Sequence, residues 1–148
     1  MALQEQIQQE LKSAMMAKDA ERVSTLRMLK SALGYAQMEK KTESLSDPEV
    51  ISLIQREIKK RRDSAEQYQT GGRPELAEKE NKEIPILEKF LPQPLSPEEL
   101  EALIKATIQE LGATTKKEMG AVIKAVQTKA AGRADGKTIS GLVGKLLP

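Results

Sequence analysis

The sequence predicts an all-α protein, and three observations lead to that prediction. Apolar residues recur three or four positions apart, as on one face of a helix, for example at Leu3, Ile7 and Leu11. No segment of useful length alternates between apolar and polar residues, as a half-buried strand does. Aromatic residues make up 2% of the 148 residues and tryptophan is absent, so the core must be aliphatic, which suits packed helices.

The first part of the chain is predicted to form a domain of about four helices. Asp19 is placed to cap the second helix, because its carboxylate can accept unpaired backbone N–H groups. Ser46 and Glu49 have the spacing of a capping box at the start of the third helix. In the fourth, Pro85 predicts a kink or break, because proline lacks a backbone donor.

A proline-rich segment at residues 91–97 predicts a domain boundary. It contains three prolines, which remove backbone donors and favour extended geometry in the residues before them. We therefore divide the chain into an N-terminal helical domain, residues 1–94, and a small C-terminal helical domain, residues 95–148.

Three helices are predicted in the C-terminal domain, each with a recognisable start. The first has a capping box formed by Ser96 and Glu99, and the second has the same pattern at Thr115 and Glu118. Asp135 is placed to cap the third. The prediction is thus a small three-helix domain that follows the larger N-terminal one.

Composition excludes several classes of catalytic site. The chain has no cysteine and no histidine, so it has no thiol nucleophile, no disulfide and no thiolate or imidazole metal site. It also lacks the glycine-rich loops that bind nucleotides. We predict no catalytic residue, no cofactor and no metal. No apolar run approaches the ~20 residues that span a bilayer, and the first residues lack a signal-peptide pattern, so we expect a cytoplasmic protein that does not enter a membrane.

The first basic feature is the run Lys59-Lys60-Arg61-Arg62. Four successive helical residues point in most directions around the axis, so they do not form one flat patch. A solvated helix surface is the favoured interpretation, and phosphate binding is the alternative. Arg56, Lys59, Lys60 and Asp63 have the spacing to share one face, which would make a mixed-charge contact surface.

The second basic feature lies at the C-terminal end. From Gly112 onward, seven basic residues stand against two acidic ones, whereas residues 1–94 contain 16 of each. A local excess of positive charge attracts a nucleic-acid backbone. The predicted nucleic-acid contacts are Lys117, Lys124, Lys129, Arg133 and Lys137.

Within that region, Gly132–Lys137 forms the predicted turn between two helices. Free N–H groups at the start of the following helix would favour an anion such as phosphate. Asp135 would compete by capping the helix itself, which leaves Arg133 and Lys137 as the better functional candidates.

Three glycines, at positions 120, 141 and 144, fall inside predicted helices of the same domain. Each costs roughly 1 kcal/mol relative to alanine in a helix interior. Close helix packing is the expected reason, and the approach of an RNA backbone is the alternative.

Several segments together resemble the GatB/YqeY family over nearly the whole chain. In the N-terminal half they are Ser24–Lys30, Arg61–Ser64 and Ile86–Pro92, and in the C-terminal half Lys117–Ile123, Gly132–Lys137 and Ser140–Val143. The resemblance implies a small helical C-terminal domain similar to the tail of the B subunit of glutamine-dependent tRNA amidotransferases. In those enzymes the tail helps to hold tRNA, and the reactive centres lie elsewhere. A carbon–nitrogen ligase label would therefore be inherited from longer relatives.

These observations predict a tRNA-binding or accessory module whose partner is tRNA or a tRNA-modifying or aminoacylation enzyme. DNA is not expected as a partner. With Tyr35, Tyr68 and Phe90 as its only aromatic residues, the chain is better suited to recognising folded RNA shape than to stacking on single-stranded bases. One alternative is a protein–protein adaptor that binds no RNA, and another is an amidotransferase whose active sites come from a partner.

Overall fold

A computed structural model gives the structure of the protein and describes residues 2–148. The described chain is all-helical and contains no strand, which confirms the predicted fold class. A short 3₁₀ helix, Lys116–Glu118, precedes the sixth of seven α-helices. The α-helices are α1 (Leu3–Met16), α2 (Ala20–Lys40), α3 (Asp47–Thr70), α4 (Pro74–Glu88), α5 (Pro97–Leu111), α6 (Met119–Ala130) and α7 (Gly136–Leu146).

The chain divides into two compact units, Met1–Leu91 and Pro92–Pro148. The N-terminal unit contains α1 to α4, and the C-terminal unit contains the 3₁₀ helix and α5 to α7. The boundary between the units follows Leu91 and is three residues before the boundary predicted from the prolines. Within the described residues, no helix is both long and apolar enough to cross a membrane.

Aliphatic side chains form the core of the N-terminal unit, as its composition requires. The most deeply buried include Ile7, Leu26, Leu29, Ile54 and Leu87, which come from all four helices. Three residues join α3 to α4, and the two helices pack extensively against each other. Burial of such side chains contributes about 1.5–3 kcal/mol each, so this cluster is the main stabilising feature of the unit.

The predicted caps of the N-terminal helices are confirmed. The Arg22 amide donates to Asp19 Oδ1 at 3.3 Å, and Ser46 and Glu49 form both hydrogen bonds of a capping box. An ion pair with Lys40 and the hydrogen bonds from Ser46 lower the pKa of Glu49 to about 2. The start of α3 is therefore tied to the end of α2 by a carboxylate that stays ionised.

Helix α4 does not break at Pro85, contrary to the expected break. It continues to Glu88, and the Lys89 amide donates to the carbonyl oxygen of Pro85 at 3.2 Å. Ile84 and Leu87, on either side of the proline, are buried in the core. Their packing offsets the loss of one backbone hydrogen bond, so tertiary contacts override the local preference.

Arg61 differs from the rest of its basic run. Lys59, Lys60 and Arg62 are exposed, but Arg61 is only 6% exposed, so the interpretation of the run as a solvated surface is wrong for this residue. Its Nε lies 3.4 Å from Glu83 Oε2, and its Nη1 donates to the Glu57 carbonyl oxygen at 3.1 Å. Arg61 therefore connects α3 to α4.

The C-terminal unit has its own aliphatic core. Ile104, Val122, Val126, Ile139 and Val143 are fully buried and come from α5, α6 and α7. Each of the three helices thus places at least one apolar side chain at the centre of this unit.

Two of the three predicted helix starts in the C-terminal unit are confirmed. Ser96 and Glu99 form the capping box of α5, and Asp135 caps α7. The box predicted at Thr115 and Glu118 is wrong. Thr115 caps the 3₁₀ helix instead, and α6 begins one residue after Glu118.

Candidate nucleic-acid interface

Helices α6 and α7 form the framework of the candidate interface. They run antiparallel: a Cβ added at Gly144 would lie 3.5 Å from Met119 Cε, and one added at Gly136 would lie 3.1 Å from Gln127 Nε2. The end of α7 thus lies beside the start of α6, and the start of α7 beside its end. Their buried faces meet in the core, so their outer faces determine what the unit presents to a partner.

Lys124 and Lys137 lie on those outer faces. At about 100° per residue, Lys124 is about 160° from Val122 and Val126, two of the three buried residues of α6. Lys137 is likewise about 160° from Ile139, which is buried on α7. Both lysines are exposed, and neither forms an ion pair with any described residue. Both are available to an external anion.

Lys117 is positioned by the 3₁₀ helix before α6. Its amide donates to the Thr115 hydroxyl at 3.3 Å, which fixes the backbone, while the side chain is exposed. Its ammonium group has no carboxylate partner in the described chain. The side chain of Lys117 is therefore accessible to an external anion, as its predicted role requires.

Lys129 is already engaged within the unit. It forms an ion pair with Glu110 on α5 and lies 3.4 Å from the hydroxyl of Thr107. On α6 it is about 140° from Lys124, because the two are five residues apart. Lys124 and Lys129 therefore do not share a face, and a phosphate would have to replace Glu110 to bind Lys129.

Arg133 fixes the segment that precedes α5. Its Nε donates to the Gln93 carbonyl oxygen at 2.9 Å, and its own carbonyl oxygen accepts from the Leu95 amide at 2.8 Å. A carboxylate oxygen of Glu99 lies 4.0 Å from its Nη2. Sequence reasoning missed this structural role, because Gln93 is 40 positions away in the chain.

The two acidic residues of this region are both committed to backbone groups. Glu118 Oε2 accepts from the Thr114 amide at 2.7 Å, and Asp135 Oδ1 accepts from the Thr138 amide at the same distance. Asp135 therefore caps the start of α7, and it would compete there with an external anion, as the sequence predicts. Anion binding must rely on side chains and not on that helix terminus.

Two further lysines belong to the same set of unpaired cations. Lys116 and Lys145 are exposed and have no ion-pair partner in the part of the chain that the structure describes. These two lysines are not among the predicted contacts, although both contribute to the excess of seven basic over two acidic residues in the sequence. We define the basic set as Lys116, Lys117, Lys124, Lys137 and Lys145.

The three helical glycines have different environments. A Cβ added at Gly144 would be in ordinary van der Waals contact with Met119 Cε, at 3.5 Å. No described atom outside the local helix backbone would lie within 4 Å of a Cβ added at Gly120 or Gly141. Packing inside the unit therefore does not explain these two glycines, although each weakens its helix relative to alanine.

The described residues contain no group of three or more acidic side chains arranged to hold a metal ion. The arrangement offers separate cations on helix surfaces. Chemically, it can neutralise an extended anion at several points.

Comparisons with known proteins identify the family. Residues 4–147 match the family described as Yqey-like protein. Because this match covers nearly the whole chain, the protein belongs to the YqeY-like family. This confirms the resemblance that the sequence motifs indicate.

Curated relatives include proteins of fungi. An uncharacterized protein of Schizosaccharomyces pombe is 34% identical over 62% of this chain and 73% of its own length. Altered inheritance of mitochondria protein 41, mitochondrial, of Lachancea thermotolerans is 32% identical over 71% of this chain and 57% of its own length. The protein of the same name from Kluyveromyces lactis is 32% identical over 91% of this chain and 70% of its own length. The chain thus spans little more than half of the Lachancea protein.

Proposed function

We propose that this protein binds tRNA through the C-terminal unit and acts as an accessory module for tRNA or for a tRNA-modifying or aminoacylation enzyme. The observation that carries the proposal is the basic set, five exposed lysines without a carboxylate partner among the described residues. Lysines without an internal partner displace the counterions that are condensed on a phosphate backbone, and the release of these counterions drives binding.

The helices around the basic set add selectivity for shape. All aromatic residues of the chain lie before position 95, so the C-terminal unit has no platform on which bases could stack. Gly120 and Gly141 leave open space on the helices that carry Lys124 and Lys137, which lets a backbone approach closely. These features favour contacts to the phosphates of a folded RNA.

The cations with internal partners are expected to contribute less to RNA binding. Lys129 would have to exchange Glu110 for a phosphate, and Arg133 would have to release Gln93. We therefore assign the main contacts to Lys117, Lys124 and Lys137, and keep Lys129 and Arg133 as secondary contacts.

The proposal assigns no catalytic step to the chain. An amidotransferase role would need a partner that supplies the reactive centres. tRNA is present both in the cytoplasm and in mitochondria, the compartment named for several relatives. We retain the cytoplasm as the proposed location and test it by imaging the tagged protein in its own cells.

A salt titration of tRNA binding tests the function. We expect saturable binding whose affinity falls steeply with salt, with a logarithmic slope of roughly 0.9 for each phosphate neutralised. The double variant Lys124→Ala/Lys137→Ala should reduce that slope by about 1.5–2. Lys105→Ala is the matched control, because Lys105 is an exposed lysine of the same unit that pairs with Glu101 at 3.1 Å.

The alternative is a protein–protein adaptor without RNA binding. Absence of saturable tRNA binding even at low salt would reject the RNA proposal and favour the adaptor. Binding that does not change with salt would also contradict a phosphate-based interface.

A further inference from the structure

The solvent-facing side of α2 carries an unusual strip of residues. The strip consists of Ser24, Met28, Ser31, Tyr35 and Met38, all of them exposed. Met28, Tyr35 and Met38 are 54%, 74% and 75% exposed, which makes them three of the most exposed large apolar side chains in the described chain. An exposed helix face normally carries charged residues, and this strip has none.

The spacing of the strip is that of a helix–helix seam. Successive members are four, three, four and three residues apart, and at about 100° per residue they fall within about 80° of the helix circumference. The buried face of α2, with Leu26, Leu29 and Leu33, lies on the other side of the helix. Met28 Sδ lies 3.9 Å from Arg61 Nη2 at one edge of the strip. The rest of the strip lies outside the core of the N-terminal unit, and it fits a second helix.

Charges of opposite sign border the two edges of the strip. Arg27 lies about 20° beyond one edge, and Glu21 and Glu39 lie about 20° beyond the other. All three are exposed, and none of them pairs with another residue in the described chain. By contrast, Arg22 on the same helix pairs with Glu10 at 2.8 Å. The edge charges are thus left for an external partner.

The positions of these charges indicate which partner helix fits the strip and in which direction that helix runs. If two copies of α2 pair in parallel about a two-fold axis, the edge with Arg27 on one copy faces the acidic edge of the other, and Glu21 is the nearer acid, about 9 Å along the axis. If they pair antiparallel about Ser31, the acidic edges meet, and Glu39 of one copy lies beside Glu21 of the other. Like charges across a seam are unfavourable, and opposite charges set partner choice and orientation.

We propose that two copies of this chain associate through the strip on α2, in parallel about a two-fold axis. The strip belongs to the N-terminal unit and the basic set to the C-terminal one, so different variants test the dimer and tRNA binding. Tyr35 and the two methionines supply the apolar contact. Ser31, at the centre of the strip, lets the two helices approach.

Sedimentation of the full chain over a range of concentrations tests the association. We expect a reversible dimer whose dissociation constant rises at least tenfold in Tyr35→Glu. Met16→Glu is the matched control, because Met16 is 86% exposed but lies at the end of α1, outside the strip. A monomer at all concentrations overturns the proposal, as does a dimer that Tyr35→Glu leaves intact.

A disulfide test measures the direction of pairing. The chain has no cysteine, so Ser31→Cys introduces a single thiol at the centre of the strip. In a parallel two-fold pair each residue faces its own copy, and Ser31→Cys should form a covalent dimer rapidly under mild oxidation. Ser13→Cys, at an exposed position on α1, should remain monomeric. Equal rates of cross-linking for the two variants contradict the parallel seam.

Discussion

The two units of the molecule use their charges differently. In the N-terminal unit, eight of the 16 basic residues pair with an acidic side chain among the described residues: Arg61 lies between Glu57 and Glu83, and Glu10 pairs with both Arg22 and Lys89. In the last 37 residues, five of seven basic side chains have no acidic partner among the described residues. The first unit is balanced in composition and the end of the second is not. The buried pairs of Arg61 therefore stabilise the fold of the first unit, whereas the excess lysines at the end of the second unit are available for binding.

The largest effect should come from the buried arginine. Arg61→Ala leaves the side chains of Glu57 and Glu83, which are only 14% and 15% exposed, without their shared cation. We expect the free energy of unfolding of the N-terminal unit to fall by about 3–5 kcal/mol. Urea denaturation followed by tyrosine fluorescence measures this unit alone, because Tyr35 and Tyr68 both lie in it.

An exposed lysine of the same run provides the control for that measurement. Lys59→Ala removes only a solvent-exposed pair with Asp63, so it should change stability by less than about 1 kcal/mol. Similar losses for Arg61→Ala and Lys59→Ala would show that burial does not distinguish the two cations.

A smaller loss of stability is expected at Arg133. Arg133→Ala removes the hydrogen bond to the Gln93 carbonyl, and with a side chain that is 42% exposed we expect about 1 kcal/mol. Hydrogen exchange at the Leu95 amide should become faster. The salt dependence of tRNA binding should change less than in Lys124→Ala. If Arg133→Ala reduces the salt slope instead and leaves exchange unchanged, Arg133 acts on RNA and not on its own fold.

Removal of the carboxylate that pairs with Lys129 should make this lysine available to RNA. Glu110→Gln leaves Lys129 without its carboxylate, so the slope of tRNA affinity against salt should become steeper by roughly 0.9. Glu101→Gln frees Lys105 on α5 and serves as the control for total charge. An equal response to both variants would mean that net charge matters and the position of the lysine does not.

The smallest effect concerns acid stability. The ion pair with Lys40 and the cap at Ser46 lower the pKa of Glu49 from 4.5 to about 2. Because the folded pKa is below the unfolded one, the stabilisation is complete above pH 4.5 and is lost as the pH falls towards 2. Stability curves of the wild type and Glu49→Gln, compared over this range by circular dichroism, should converge at low pH. A constant difference would contradict the assignment.

Most helix starts follow from the sequence, because the residues that cap a helix are neighbours in the chain. Each of the four confirmed caps accepts a hydrogen bond from the backbone amide three residues ahead, so the spacing in the sequence already defines the interaction. The caps are Asp19, Ser46, Ser96 and Asp135. Thr115 fails because Glu118 bonds to the preceding Thr114 amide and a 3₁₀ turn forms. That choice depends on how the segment packs against α6.

The helical class, most helix starts and the excess of positive charge at the C-terminal end all follow from the order of residues along the chain. Which cations are free depends on how the helices pack. Arg61, Lys129 and Arg133 find their partners 22, 19 and 40 positions away, and no periodic pattern encodes such distances. Helix caps are local interactions, whereas ion pairs between helices depend on how the chain brings distant helices together.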